Sequence, residues 1–600
     1  MRVMSRTLGV VACAVAASGV FATSAIAQSC PNATKTTVTG TPSYTYTRGC
    51  ILSFDGTPIV YNFFEPTGDL APKSVYTIMI GPGWGGAGGT TPDGGLIGLG
   101  YAELTWDPRG FGESGGVAEV DSPASEGRDV SALIDQVLTG RPEIAVDKDG
   151  SGGQPHYHND TGFSNTFGEP VVGMSGGSYG GGIQLSTAAF DKRVKAIVPQ
   201  LAWNDLNYSL WPGNVVKLGW GELLYGAGFG EGAASHLQGD ASGFPNGGDG
   251  GNQTGGYDPM IHYSEVTGAA LGYPEGTTRA WFHQRSFAEY GAGLAGHYPD
   301  VPTLMQQGNV DTLFNLTDAW NNKLEINGHD PDVPVKFIAF CGGHVSCPTG
   351  APPAGANYSD TAPASSPLGA GQSAGTYDHL RSIDWFNHYL RGENSGGKDQ
   401  DGMPYDVVYQ DETGAFHGID TFPTPAVPGP ATYVSKPFTG TLVAHGVPNN
   451  VSPGGATAAE ADGATNSSDP GQVTVPVFTA PAGQAVPIVG IGRATASVTV
   501  NGADTELFFR LVDKATGGVV DLQTVPIRVD NLDLPNNATN AGPPAAKQIS
   551  VDLAGVSYLL PAGDELDLQV STSTDSYVPN RGASVVQIDD GHVTVPTLQD

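Results

Sequence analysis

Residues 173–181 read Gly-Met-Ser-Gly-Gly-Ser-Tyr-Gly-Gly and contain two overlapping G-x-S-x-G matches, one centred on Ser175 and one on Ser178. In that pattern a serine sits on a tight strand-to-helix turn, and small neighbours let backbone segments approach closely. A hydroxyl held there attacks a carbonyl carbon once a base accepts its proton. With Ser175 as the nucleophile the preceding strand would be unusually short. With Ser178 the strand spans residues 171–175 and a helix starts at the glycines just after, so Ser178 is the expected nucleophile.

A nucleophilic serine needs a base, and the base needs an acid to orient it. On a strand–turn–helix framework of this kind the chain order is serine, acid, histidine, each at the carboxyl end of a strand. Of the 13 histidines, His344 is the one that follows an apolar strand (335–340) and lies in a glycine turn. Cys341 and Cys347 bracket it, and a disulfide there would hold the imidazole. His156 and His158 precede the nucleophile in a polar loop, while His379 and His388 flank or occupy a later helix. For the acid, the apolar run 302–306 leads to Asp311, the one carboxylate of its turn. Asp300 precedes that run, Asp318 falls within the next helix, and Asp330 and Asp332 lie nearer the histidine strand. The oxyanion of a tetrahedral intermediate needs N–H donors. The backbone of Tyr179 supplies one, and the loop 81–86 is expected to supply the second from Trp84, with Gly83 or Gly85 as alternatives.

These residues must be carried by elements that the chain can form. Apolar runs at 75–80, 102–106, 170–174, 195–199, 302–306 and 335–340 alternate with helical stretches at 125–138, 183–190 and 381–389. Such alternation predicts a parallel sheet with helices on both faces. Short alternating strands between residues 36 and 64 precede it. Residues 203–300 interrupt the alternation with Trp203, Trp211, Trp220 and Trp281, and read as an inserted helical cap. The α/β unit is expected over 28–202 and 301–402, and an all-β antiparallel sandwich over 403–600.

The chain has 600 residues, which implies about two or three structural units. Sixty acidic against 27 basic residues give a formal charge of −33, which excludes nucleic-acid binding by repulsion from phosphate. Arg2 and Arg6, an apolar stretch from Leu8 to Ala22, and Ala25-Ile26-Ala27 predict a signal peptide over 1–27 and export to an oxidising space. The stretch is too short for membrane insertion. Cys30, Cys50, Cys341 and Cys347 then remain, and local spacing favours the disulfides Cys30–Cys50 and Cys341–Cys347. They lack the C-x-x-C spacing of a metal site, and no metal or cofactor is expected. Asp147-Lys148-Asp149-Gly150-Ser151 resembles the start of a calcium loop, but its twelfth position is His158 rather than Glu. Residues 247–252 match a single glycine-rich repeat, where several would be needed to stack. Both read as loops.

Residues 176–181 match the G-x-S-Y-x-G elbow of the Xaa-Pro dipeptidyl-peptidase and cocaine esterase family of α/β-hydrolases. Residues 107–114 resemble its D-x-R-G-x-G-x-S segment, and residues 385–392 its closing helix. The strands at 506–513 and 549–570 resemble its carboxyl-terminal jelly roll, so the likeness spans roughly residues 50–590. The resemblance implies an α/β-hydrolase with a cap and a jelly roll, and Ser178, Asp311 and His344 as a triad. It implies hydrolysis of a small-molecule ester, or of the amide after Xaa-Pro in a short peptide. Family members often supply the second oxyanion donor from a tyrosine hydroxyl on the first loop. Here Gly83 and Trp84 stand there, so a backbone amide must substitute.

Overall fold

A computed structural model describes residues 30–68, 75–146, 169–237, 256–289, 297–345, 347, 377–393, 401–403, 405–445, 472–502, 504–529, 545–574, 576–578, 580 and 582–598. The expected signal segment, the acidic turn from Asp147 to His158 and the stretch 247–252 lie outside them.

One mixed sheet carries the first part of the chain. Its strands are β1 (Thr34–Val38), β2 (Tyr44–Leu52), β3 (Pro58–Pro66), β4 (Thr77–Ile80), β5 (Ala102–Trp106) and β6 (Val172–Gly177). They continue with β7 (Val194–Gln200), β8 (Thr303–Gly308), β9 (Val335–Phe340), β10 (Val407–Gln410) and β11 (Phe416–Ile419). The order is β1-β2-β3-β5-β4-β6-β7-β8-β9-β10-β11. The central pairs from β5 to β10 are parallel. Those strands are buried on both faces, which is why they read as unbroken apolar runs.

Helices cover both faces. On one side lie α2 (Glu126–Leu133), α3 (Tyr179–Phe190) and α8 (Leu316–His329), and on the other α1 (Gly94–Gly98) and α9 (Tyr377–Arg391). Val130, Leu133, Ile134 and Val137 recur at helical spacing and are buried against the sheet. The expected cap contains α4 (Leu206–Leu210), α5 (Leu218–Leu237), α6 (Pro259–Leu271) and α7 (Gly276–His283).

The sandwich strands are β12 (Thr432–His445), β13 (Val473–Thr479), β14 (Val486–Gly490), β15 (Arg493–Gly502) and β16 (Thr505–Asp513). They continue with β17 (Val519–Val529), β18 (Lys547–Asp552), β19 (Val556–Leu560), β20 (Glu565–Ser571) and β21 (Ala583–Thr597). The two four-stranded sheets are β12-β21-β15-β18 and β13-β20-β16-β17, and β14 pairs with β19. Alternate residues of β15 are buried, as expected for a sheet with one face on a core. The expected boundary after residue 402 cuts the large sheet, because β10 runs parallel to β9 and β11 follows it. By hydrogen bonding the sandwich begins at Thr432. A short apolar strand such as β10 looks the same in sequence whichever sheet receives it.

Several carboxyl groups are buried in the interior. Burial pushes Glu103 up to about 8 and Glu126 up to about 7, and it raises Asp318 and Glu412 as well. The folded state therefore holds these protons more tightly than the unfolded chain does. Their stabilising contribution is full below the ordinary carboxyl value of 4.5 and is lost as pH rises through 7 to 8. The unfolding temperature at constant ionic strength is expected to be higher at about pH 5 than at about pH 7.5. A flat or opposite trend in calorimetry would contradict this.

Candidate active site

Ser178 stands between β6 and α3 with φ 59° and ψ −118°, a left-handed φ that a non-glycine residue adopts only under constraint. Its N–H donates to the Gln200 carbonyl at 2.9 Å, and its own carbonyl accepts from Gly181 and Gly182. The neighbouring glycines are required by close approach. A Cβ on Gly180 would lie 2.1 Å from the Gly81 carbonyl oxygen, and one on Gly181 2.4 Å from that of Gln200. Ser175 lies inside β6, and its carbonyl accepts from the Gly81 N–H.

The Ser178 hydroxyl lies 2.7 Å from His344 Nε2. His344 Nδ1 lies 2.7 Å from Asp311 Oδ2, and the His344 backbone N–H donates to the same oxygen at 3.1 Å. A carboxylate only accepts, so Nδ1 carries the proton and Nε2 presents its lone pair to the hydroxyl. Asp311 is fully buried, and its Oδ1 accepts from the N–H groups of Leu313 and Phe314 at 2.9 and 3.0 Å. The rings of Phe314 and Trp220 flank the imidazole edge-on, at 5.4 and 5.7 Å between centroids.

The other candidates are engaged elsewhere. Asp318 closes a capping box with Asn315 at the start of α8, and Asp300 pairs with Lys192. Asp330 ends α8 and accepts from the Asp332 N–H. His379 faces Asp93, and His388 Nδ1 lies 3.2 Å from the Glu393 carbonyl. His156 and His158 lie outside the described residues.

Tyr179 heads α3, where a backbone N–H has no carbonyl of the helix to bond. Its phenol, buried behind the elbow, donates to Glu126 at 3.2 Å and accepts from the Asp121 N–H at 3.3 Å. Burial raises both Asp121 and Tyr179 well above their ordinary values. The Trp84 indole N–H donates to the Leu224 carbonyl on α5, and its ring packs on Phe111, Tyr179 and Tyr257. Only its backbone amide is left to serve an oxyanion. The segment 107–114 is structural: Arg109 binds Asp129 through two 2.7 Å bonds, and Asp107 accepts from Gly88 and Glu113.

Above Ser178 the cap encloses a pocket of roughly 1000 Å³ including its open mouth. Its walls are apolar, among them Trp84, Trp203, Trp211, Leu224, Phe282 and Phe314. Of its polar residues, Lys217 donates to the Thr312 and Leu313 carbonyls at 2.8 and 3.0 Å, and Ser264 to the Ile261 carbonyl. Burial lowers the Lys217 ammonium. Glu222 and Glu265 lie on α5 and α6, and Glu265 is raised by burial and by the charge of Glu222. The disulfides Cys30–Cys50 and Cys341–Cys347 are formed, with Cα separations of 5.2 and 5.3 Å.

Residues 55–329 match the family model described as X-Pro dipeptidyl-peptidase (S15 family), and residues 403–594 match that of the X-Pro dipeptidyl-peptidase C-terminal non-catalytic domain. The chain belongs to the Xaa-Pro dipeptidyl-peptidase/cocaine esterase family. As a member of that family it is a serine hydrolase. Its fold is similar to that of a CocE/NonD family hydrolase from Staphylococcus aureus, with a TM-score of 0.57 and 14% identity over 94% of this chain and 96% of that one. An aminopeptidase from a Thaumarchaeota archaeon gives a TM-score of 0.57 at 14% identity, over 92% and 97% of the two chains. An α-amino acid ester hydrolase gives 0.55 at 14% identity, over 96% and 98%. An uncharacterized 31.7 kDa protein of Escherichia coli is 33% identical over 106 residues, which is 18% of this chain and 29% of that protein's length.

Three residues around the site escape a reading of motifs. Lys217 and Trp220 of the cap, and Gln523 of the sandwich, all bond to the loop that carries Asp311. Lys217 left one signal, as the single lysine between Lys195 and Lys323 in an apolar stretch. Gln523 left none.

Proposed function

We propose that this protein of the Xaa-Pro dipeptidyl-peptidase/cocaine esterase family is an exported esterase that hydrolyses esters of bulky apolar acyl groups. Ser178 Oγ attacks the carbonyl carbon while His344 Nε2 takes its proton, and buried Asp311 stabilises the imidazolium that results. The backbone N–H groups of Tyr179 and Trp84 receive the oxyanion. Collapse of the intermediate passes the proton from Nε2 to the leaving alcohol. Water, deprotonated by the same imidazole, then releases the acid and frees the serine. The observation that carries this reading is the Ser178–His344–Asp311 hydrogen-bond chain opening into an apolar pocket. Two disulfides and the amino-terminal sequence support export.

A dipeptidyl-peptidase is the second reading, and the pairing of Glu222 with Glu265 favours it, because a substrate ammonium would relieve their mutual repulsion. Asp205, another carboxylate of the cap, instead caps α4 and faces His283. The deciding experiment offers the purified chain a series of aryl esters of increasing acyl length and a Xaa-Pro arylamide. Ester turnover that rises beyond the acetyl ester is expected. Turnover of the arylamide alone would transfer the assignment to the peptidase. Absence of turnover together with absence of fluorophosphonate labelling would remove both.

A further inference from the structure

We propose that Gln523, in the β-sandwich, is a positioning residue for the triad, holding the Asp311 loop in place from a separate sheet system. The inference rests on the triad roles given above.

The Gln523 side-chain nitrogen lies 3.0 Å from the Asn309 carbonyl oxygen and 2.9 Å from that of Asp311. Carbonyls only accept, so the amide presents its NH2 group, and two N–H donors meet two acceptors. Gln523 is buried, so water does not replace these bonds. The way the side chain arrives there is unusual. Strand β17 loses register with β16 between Arg510 and Val512, so that residues 520–523 bulge out of the ladder. Within that bulge Asp521 has φ 50° and Leu522 φ 58°, two consecutive non-glycine residues in a conformation that side chains resist. Bulges beside functional sites re-aim side chains, and this one aims two. Asp521 Oδ1 accepts from the Asn309 side chain at 3.2 Å, while its Oδ2 accepts from the Ser557 N–H at 2.6 Å.

The same loop is also held by the cap. Lys217 holds the carbonyls of Thr312 and Leu313, and the Trp220 indole donates to the Thr312 hydroxyl at 3.0 Å. The backbone before and after Asp311 is thus bonded to both sandwich and cap. Asn309 also donates to the Ser557 carbonyl at 3.2 Å, but not every bond between the two units reaches this loop. The Thr317 hydroxyl, for example, accepts from the Gly555 N–H at 2.9 Å. A domain whose family description is non-catalytic therefore sets the acid's position without touching substrate.

The test compares the full-length protein with Gln523→Met, which keeps the side-chain length and removes both donors. Fluorophosphonate labelling and ester kcat are both expected to fall about 10- to 100-fold, the effect of a misplacement near 1 Å. KM should stay within about twofold. The acid limb of the kcat/KM profile should move to lower pH, because a loosely held carboxylate stabilises the imidazolium less. Thr317→Val, which removes the bond to Gly555, should lower the unfolding temperature and leave labelling rate and pH profile unchanged. Gln523→Asn keeps the donors but cannot span both carbonyls, and it takes the place of Gln523→Met should that variant not fold. A folded variant that labels at the wild-type rate with a superimposable profile overturns the inference. A wild-type protein that does not label at all overturns the triad roles instead.

Discussion

Ser178→Ala is expected to lower turnover of the best ester by about 10⁴- to 10⁶-fold, with fluorophosphonate labelling abolished. The residual rate over water would come from the oxyanion donors and from substrate binding, which the substitution leaves in place. Folding should be unaffected. The serine hydroxyl bonds to His344 alone among the described residues, and alanine meets the same backbone strain at φ 59° that serine already bears. Unfolding temperature and far-ultraviolet circular dichroism should match the wild type. A variant that retains a tenth of the activity would mean that another group attacks the substrate.

Asp311→Asn is the second large effect, about 10⁴-fold in kcat. Asp311 Oδ1 can still accept from Leu313 and Phe314 as an amide oxygen, so the loop keeps those bonds. The other terminus becomes an NH2 group facing three donors, the Nδ1–H and backbone N–H of His344 and the Gln307 side-chain amide. The imidazole escapes that clash by shifting its proton to Nε2, the nitrogen that must take the proton from Ser178. The variant should therefore fold, bind and fail to react, with KM nearly unchanged. Activity within about tenfold of the wild type would show that the acid does not set the tautomer.

Much of this arrangement was legible in the amino-acid sequence, for reasons that can be named. Ser178, Asp311 and His344 each follow an apolar run that forms a buried strand; Asp311 is the one carboxylate of its turn, whereas Ser178 is told from Ser175 by the length of the preceding strand. Tight backbone packing at the elbow left its mark as Gly180 and Gly181. The residues that support the loop left no such mark. Lys217 and Gln523 act through backbone carbonyls, which any residue type provides, and Gln523 lies 212 residues beyond Asp311. The sheet that β10 and β11 join was not legible for a related reason. The pairing of β10 with β9 depends on which sheet lies open to a short strand, not on the strand's own residues. The indole contact of Trp84 was not legible, since the Leu224 carbonyl that accepts its N–H lies 140 residues away.

The reach of Gln523 also orders events during synthesis. A ribosome that has released Ser178, Asp311 and His344 has not yet released the amide proposed to steady the acid, which follows His344 by 179 residues. At roughly 5–20 residues per second that interval lasts about 10–40 s. Through that time the nascent polypeptide carries all three residues of the proposed triad but not the amide proposed to steady its acid.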